Sequence, residues 1–336
     1  MRAALLTQVN EPIVITDIEP PTPGYTDVIV RVEVCGLCHT DLHIADGHWK
    51  LPLLPLIPGH EVVGTIETLG EGVKGLTKGE RVGVAWLYSA CQTCELCING
   101  YEMFCESQDN TGYTVNGGMA ELIKVPANFI TKIPEQLPSA IAATLLCAGV
   151  TPYRALKESG IHAGQTVAIF GVGGLGHIAI QLAKAMGFHI IAVDINDQKL
   201  ELARTLGADL VVNADREAPA KYIRKLGGAH AVINLVASAK TMEEAFYALR
   251  RHGTLVVVGL PREEFTLPVI PFVGRGARII GSVVGTRNDL REILALAAAG
   301  KVTTIEQERP LAEINEALAD MRAGRINGRC VLRLIN

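Results

Sequence analysis

Eight cysteines in this 336-residue chain fall into two patterns, and both bear on metal chemistry. Cys91, Cys94, Cys97 and Cys105 crowd one polar stretch with the spacing C-x2-C-x2-C-x7-C, enough to surround a single tetrahedral ion. Gln92, Thr93 and Glu95 lie among them, so burial in an apolar core does not explain the cluster. Zinc is the reading favoured by the spacing. An iron–sulfur cluster fits the same spacing, and a pair of disulfides would need an oxidising compartment. Cys38 and Cys147 lie far apart, with His60 between them in Pro58-Gly59-His60-Glu61. No spacing rule joins these three, because scattered ligands meet only in the fold. Their company sets them apart from ordinary buried residues: Cys38-His39-Thr40-Asp41-Leu42-His43 packs five polar or reactive groups into six residues, and Glu61 directly follows His60. A structural zinc takes four protein ligands, whereas a zinc that does chemistry keeps one position open. The two patterns suggest one ion of each kind. Cys35 and Cys330, inside apolar strands, read as packing residues.

A third group of residues points to a dinucleotide. Val167-Ala168-Ile169-Phe170 runs into Gly171-Val172-Gly173-Gly174-Leu175-Gly176, a strand followed by G-x-G-G-x-G and a helix. In such a motif Gly171 permits the tight turn, Gly173 lets backbone approach a pyrophosphate, and Gly176 allows close helix–strand packing. The helix N-terminus then offers unpaired N–H groups and partial positive charge to the phosphates. Asp194 closes the next strand, 18 residues beyond Gly176, where a carboxylate can accept hydrogen bonds from ribose hydroxyls. It would repel a 2′-phosphate, and Ile195-Asn196 supplies no arginine to accommodate one, so NAD is expected rather than NADP. The alternative makes Asp194 a turn residue or a cap for the helix that starts at Asp197.

The remaining sequence has to position these groups. At 49% hydrophobic and 20% charged residues, the chain is longer than one core usually serves, and two domains are expected. Residues 1–148 carry β signals: Val28, Val30, Val32 and Val34 alternate with Ile29, Arg31 and Glu33, and residues 61–69 and 80–86 read as further strands. This part is expected to form an antiparallel, barrel-like domain with a cysteine lobe at about 88–108. Residues 149–285 alternate strands and helices in the pattern of a doubly wound parallel sheet, with Thr151-Pro152 marking the first helix start. Residues 286–336 show helices at 290–299 and 311–321 and a strand at 330–335. The net charge of −4 gives no footprint for nucleic acid. The apolar runs 141–150 and 167–180 fall short of the roughly 20 residues of a membrane span. The N-terminus lacks the features of a signal peptide, so the chain is expected to be soluble and cytoplasmic, with a small-molecule substrate.

Taken in order, Cys35–His43, Gly59-His60-Glu61, the four-cysteine lobe, Cys147-Ala148-Gly149-Val150-Thr151 and the Gly171 motif closely resemble the zinc-dependent medium-chain alcohol dehydrogenases of the bacterial and yeast type. The resemblance covers essentially the whole chain. It implies an α/β protein: a GroES-like antiparallel β barrel catalytic domain joined to a doubly wound Rossmann cofactor domain. It also implies two zinc ions per subunit. Cys38, His60 and Cys147 would hold the catalytic ion, with Glu61 able to exchange onto it, and the four-cysteine lobe would hold the structural ion. Asp41 would fix the tautomer of His60, and Thr40 and His43 would relay the proton. His39 and Arg329 fall where the family meets phosphate, and Lys199 where it meets the adenosine ribose. Val258, Leu260, Ser282 and Val284 correspond to the nicotinamide wall, and Trp49 and Trp86 to a pocket for small primary alcohols. The implied reaction is reversible oxidation of such alcohols with hydride transfer to NAD, in a homotetramer. Alternatives are a related zinc aldehyde reductase or polyol dehydrogenase, or a catalytically silent NAD-binding protein on the same fold.

Overall fold

The structure, a computed structural model, describes residues 1–334. The described chain divides into two compact units: residues 1–147 with 286–299 and the segment from 304 onward, and residues 148–285 with 300–303.

The first unit is organised by one long strand, Asp27–Leu37. Val28, Val30, Val32 and Val34 are fully buried while Arg31 faces solvent, the alternation expected of a strand with one face on a core. Glu61–Leu69 pairs antiparallel along one edge, with register shifts between Ile29 and Val30 and between Val32 and Val34. Such bulges bend a strand and increase its twist. The other edge of the bent strand is shared: Leu122–Pro126 pairs with residues 27–31, and Arg329–Arg333 pairs with residues 34–37. The seven-stranded sheet runs Glu306–Pro310, Arg329–Arg333, Asp27–Leu37, Glu61–Leu69, Arg81–Val84, Ile130–Lys132, with Leu122–Pro126 as the branch. Its outermost pair, Glu306–Pro310 with Arg329–Arg333, is parallel, so the expected all-antiparallel pairing fails at that edge. The helix Ile314–Arg322 lies between these two strands in sequence and makes the crossover that a parallel pair requires. The end of the expected last strand, Ile335, lies outside the described residues.

In the second unit six strands, all parallel, stand in the order 210–213, 189–194, 166–170, 229–234, 249–257, 278–281. Both faces of such a sheet are covered, so its strands read as continuous apolar runs. Val167, Ala168, Ile169 and Phe170 are all at most 1% exposed. The helices Gly176–Ala185, Asp197–Leu206 and Ala239–Ala248 match the sequence pattern to within a few residues. Pro219–Lys225 and Val269–Arg275, seven residues each, are too short to show a helical period in the sequence.

One helical run bears on two expectations. Ser139–Glu158 is a single stretch of 20 residues, with mean hydropathy 1.2 in its most apolar window, so by length and composition it could cross a membrane. Since 83% of that window is buried, it reads as a core helix. Its last segment, Val150–Glu158, begins one residue before the expected start at Thr151-Pro152 and continues from the turns upstream. Leu145–Gly149 forms a wider π turn just upstream, where Pro152 lacks an N–H and crowds the carbonyl four residues back.

Candidate active site and metal centres

Register explains why scattered residues meet. Gly36 stands opposite Glu61 in the antiparallel pair, so the end of one strand delivers Cys38 beside the start of the next, which carries His60 and Glu61. The helix Ser139–Thr144 packs against both strands and leads into Cys147. Cys330 pairs with Leu37, which brings Arg329 to the same end of the sheet. Cys38, His60, Glu61 and Cys147 are all buried, and their ligand atoms lie within 4.8 Å of one another. The sulfurs of Cys38 and Cys147 are 4.0 Å apart. A shared tetrahedral zinc with bonds of about 2.3 Å would set them about 3.8 Å apart, and a disulfide about 2.05 Å.

The electrostatics of this cluster call for a cation. His60 is 1% exposed, and neither ring nitrogen has a hydrogen-bond partner among the described residues. A buried polar group left in that condition costs free energy, which coordination of an ion would remove. Burial pulls the imidazole pKa down, but the Cys38 sulfur and the Asp41 carboxylate reverse this and set it at about 9. The contact between the Cys38 and Cys147 sulfurs holds the Cys38 thiol well below its ordinary value and pushes Cys147 well above. Among the protein groups alone, His60 and Cys147 therefore keep protons that a divalent ion would displace on binding. Glu61, raised by burial and opposed by Arg329, stands at about 7. The Arg329 guanidinium donates to Glu61 Oε1 inside the core, and its Nε has no partner among the described residues, which leaves a donor for the phosphate expected of it. The other carboxylate oxygen of Glu61 has no partner among the described residues.

Asp41 stands beside His60 and also holds backbone. Its Oδ1 is 3.8 Å from His60 Nδ1, an ion-pair separation too long for a hydrogen bond. Its hydrogen bonds come from the N–H groups of Cys38, at 2.8 Å, and Gly59, at 3.0 Å. In the first turn of the helix His39–Ala45, a carboxylate reaches back to its own N-cap, which here is Cys38. Asp41 thus ties together the two segments that carry Cys38 and His60. Burial raises its pKa to about 6.

Thr40 and His43, three residues apart, share one side of the same helix. His43 stacks on Trp49 with ring centroids 5.7 Å apart. Trp49 meets Trp86 edge-on at 6.3 Å, and Trp86 meets His60 edge-on at 5.1 Å. Tyr113 completes this aromatic wall, stacked on Trp86 at 5.9 Å and edge-on to Trp49 at 5.7 Å, with its hydroxyl donating to the Lys50 carbonyl. Tyr113 sits in a polar, Gly-bearing loop with no apolar period, so the sequence offers no signal for it. His39, at the first position of the helix, is exposed.

The lobe is built locally. Leu87–Ser89 pairs with Asp109–Asn110, and a four-residue helix, Glu95–Ile98, takes the place of part of the expected loop. The sulfurs of Cys91 and Cys97, and those of Cys94 and Cys105, are each 3.9 Å apart, again the spacing of ligands around one ion. The backbone N–H groups of Thr93 and Cys94 lower the Cys91 thiol to about 6, the Cys94 N–H donating to its sulfur at 3.3 Å. All eight cysteines are free thiols.

In the second unit the glycine motif has the geometry that a dinucleotide needs. Gly171 has φ +95°, and a Cβ on Gly176 would fall 1.9 Å from the Gly171 carbonyl oxygen. In front of Gly173 nothing lies within 4 Å of such an atom, which leaves room for a phosphate. Gly174 and Leu175 complete the turn into the helix Gly176–Ala185. Asp194 accepts from Val172 N–H at 2.7 Å, and from the N–H groups of Ile195 and Asn196 at 2.8 and 3.0 Å. It holds the loop in shape, with further lone pairs left for ribose hydroxyls. Asn196, not Asp194, caps the next helix, in which Lys199 is exposed. Val258, Leu260, Ser282 and Val284 follow the carboxyl ends of the strands Leu249–Val257 and Arg278–Gly281, the edge where open parallel sheets bind ligands. Val284 holds φ at +38°, a costly conformation for a β-branched residue.

Residues 24–135 match the alcohol dehydrogenase GroES-like domain, and residues 174–299 match the zinc-binding dehydrogenase family. An alcohol dehydrogenase of Geobacillus stearothermophilus is 50% identical over 336 residues, covering 99% of this chain and 100% of its own. An alcohol dehydrogenase of Moraxella sp. strain TAE123 is 48% identical over 334 residues, covering 99% of each chain. Among solved structures, the alcohol dehydrogenase of Aeropyrum pernix superposes with a TM-score of 0.92 at 39% identity, covering 99% of this chain and 100% of that one.

Proposed function

Because the chain belongs to the zinc-dependent medium-chain alcohol dehydrogenases, we propose that it oxidises small primary alcohols to aldehydes reversibly, passing hydride to NAD. The observation that carries this reading is the buried cluster of Cys38, His60 and Cys147 with Glu61 in reach of the same point. A Cys2His ligand set is the one known from alcohol dehydrogenases themselves, so it agrees with the family assignment without testing it independently. Zinc held there would supply Lewis acidity toward the alcohol oxygen, and NAD would supply the hydride acceptor.

The protein's own part is to orient, to exclude water and to move one proton. Thr40 accepts the proton leaving the alcohol, and His43, one turn along the helix, carries it outward. Trp49, Trp86 and Tyr113 form a rigid wall beside His60, which favours unbranched alcohols through overlap with branched ones. The four lobe cysteines would hold a second zinc with no open position. Asp194 supports NAD over NADP, since a carboxylate already set among backbone N–H groups would meet a 2′-phosphate with like charge.

Two measurements test this reading. NADH formation across primary, secondary and aromatic alcohols is expected to favour short primary ones; uniform inactivity sinks the enzymatic reading. Comparing kcat/KM for NAD and NADP is expected to favour NAD strongly, with Asp194→Gly narrowing the gap. The homotetramer implied by the family is checked by light scattering.

A further inference from the structure

The helix that carries Thr40 and His43 ends in a way that brings a second histidine to the first. Gly47, at φ +63°, reverses the chain after Ala45. The Gly47 N–H donates to the Ile44 carbonyl at 3.1 Å, and the His48 N–H donates to the His43 carbonyl at 2.9 Å. This pair of bonds is the Schellman motif, and the geometry sets the side chain after the glycine against the side chain three positions from the helix end. In most proteins that contact is apolar. Here it joins two imidazoles: His43 Nδ1 and His48 Nδ1 are 3.0 Å apart, with ring centroids at 5.3 Å. His43 is half-buried against Trp49, whereas His48 is exposed. Asp46, the carboxylate two residues before His48, is engaged with Arg322, whose Nη2 lies 2.5 Å from its Oδ1.

The geometry points to His48 as the outer station of the proton path, taking from His43 the proton released by the alcohol and handing it to solvent. A hydrogen bond between two imidazoles holds one proton between two nitrogens. When a proton reaches the far nitrogen of His43 from the active site, the shared proton moves to His48 Nδ1 and the far nitrogen of His48 releases one to water. The alcohol loses one proton to solvent and one hydride; each ring then resets by exchange with water, giving up the proton it gained and taking one on its opposite nitrogen, with no net proton moved. His48 is exposed, so water and buffer reach its ring directly. This inference rests on the proposed Thr40–His43 relay.

Stopped-flow mixing of the zinc-loaded, NAD-bound enzyme with ethanol in weak buffer, read by a pH-indicator dye, measures proton release directly. His48→Ala is expected to slow that release several-fold, and added imidazole to restore it. His48→Gln, which keeps a hydrogen-bonding group next to His43 but cannot relay, is expected to be as slow as His48→Ala. If His48→Ala releases protons at the wild-type rate while His43→Ala is slow, the relay stands and His48 has no part in it. Full activity in His48→Gln, or a slow His48→Ala that imidazole does not rescue, assigns His48 to holding His43 in place and overturns the proton path. A His43→Ala variant that releases protons normally overturns the relay, and this inference with it.

Discussion

The two cysteine clusters of the first unit sit in opposite surroundings. In the lobe, four ligands come from 15 consecutive residues, three of them half-exposed, and short turns with backbone N–H groups direct the sulfurs inward. In the other cluster, three ligands and a neighbouring carboxylate come from strand ends and a helix far apart in sequence, all of them buried. In the lobe, the N–H groups of Cys91 and Cys94 donate to the sulfurs from within the same stretch. The buried cluster imports a cation, Arg329, from 268 residues beyond Glu61. A closed site can be local because it needs only to bind. A site with an open position has to be dry, and dryness requires the whole sheet.

That contrast can be broken most sharply at Cys38. Cys38→Ser is expected to lower activity by three orders of magnitude or more, on the scale at which a removed Lewis acid acts. Metal analysis should then find one ion per chain instead of two, the lobe keeping its own; loss of both ions would mean that the clusters are not independent.

Arg329→Met comes next. It strands the Glu61 carboxylate without its counter-charge, and breaking a buried pair in this way costs about 3–5 kcal/mol. Denaturant midpoints measure the loss, and the double variant Arg329→Met, Glu61→Leu should recover most of it. An equal loss in both variants would show that shape, and not charge, holds that end of the sheet.

The smallest effect concerns the lobe. Burial raises Glu102, but a hydrogen bond from its own backbone N–H, and after it those from Arg287, outweigh burial and hold the carboxyl below its ordinary value. A depressed folded pKa adds stability that is present above the unfolded value and is lost as pH falls through the folded one. Arg287→Gln should therefore cost about 1–3 kcal/mol near pH 7, the range for hydrogen bonds to a charged group, and the gap to wild type should close below pH 4. A gap independent of pH would assign the loss to the contact of Arg287 with the Phe129 ring.

What could be read from the sequence follows the same division. The lobe and the glycine motif are contiguous, so spacing alone displayed both ligand sets. The trio of Cys38, His60 and Cys147 could be nominated only by its neighbours, since the register of Gly36 against Glu61 belongs to the fold. The partner of Arg329 was hidden for the same reason, being a cross-strand relation between distant segments. Asp41 was legible only in part: its position three residues after an N-cap signals the contact with Cys38, whereas its contact with Gly59 belongs to the fold. The long helix through Pro152 escaped notice because a π turn, which leaves no mark on hydrophobic period, absorbs the proline. His48 and Tyr113 required knowledge of how a helix end and a loop fold back.

The pairing of Arg329–Arg333 with the end of Asp27–Leu37 also has a consequence in time. A chain made from its N-terminus has all four lobe cysteines in place early, and they can capture an ion by themselves. The buried cluster has its metal-binding side chains once Cys147 has emerged, but its charge stays unbalanced until Arg329 is synthesised and docks. The lobe's ligand set is thus complete in a much shorter length of chain than the charge balance of the buried cluster, which waits for the strand that carries Arg329.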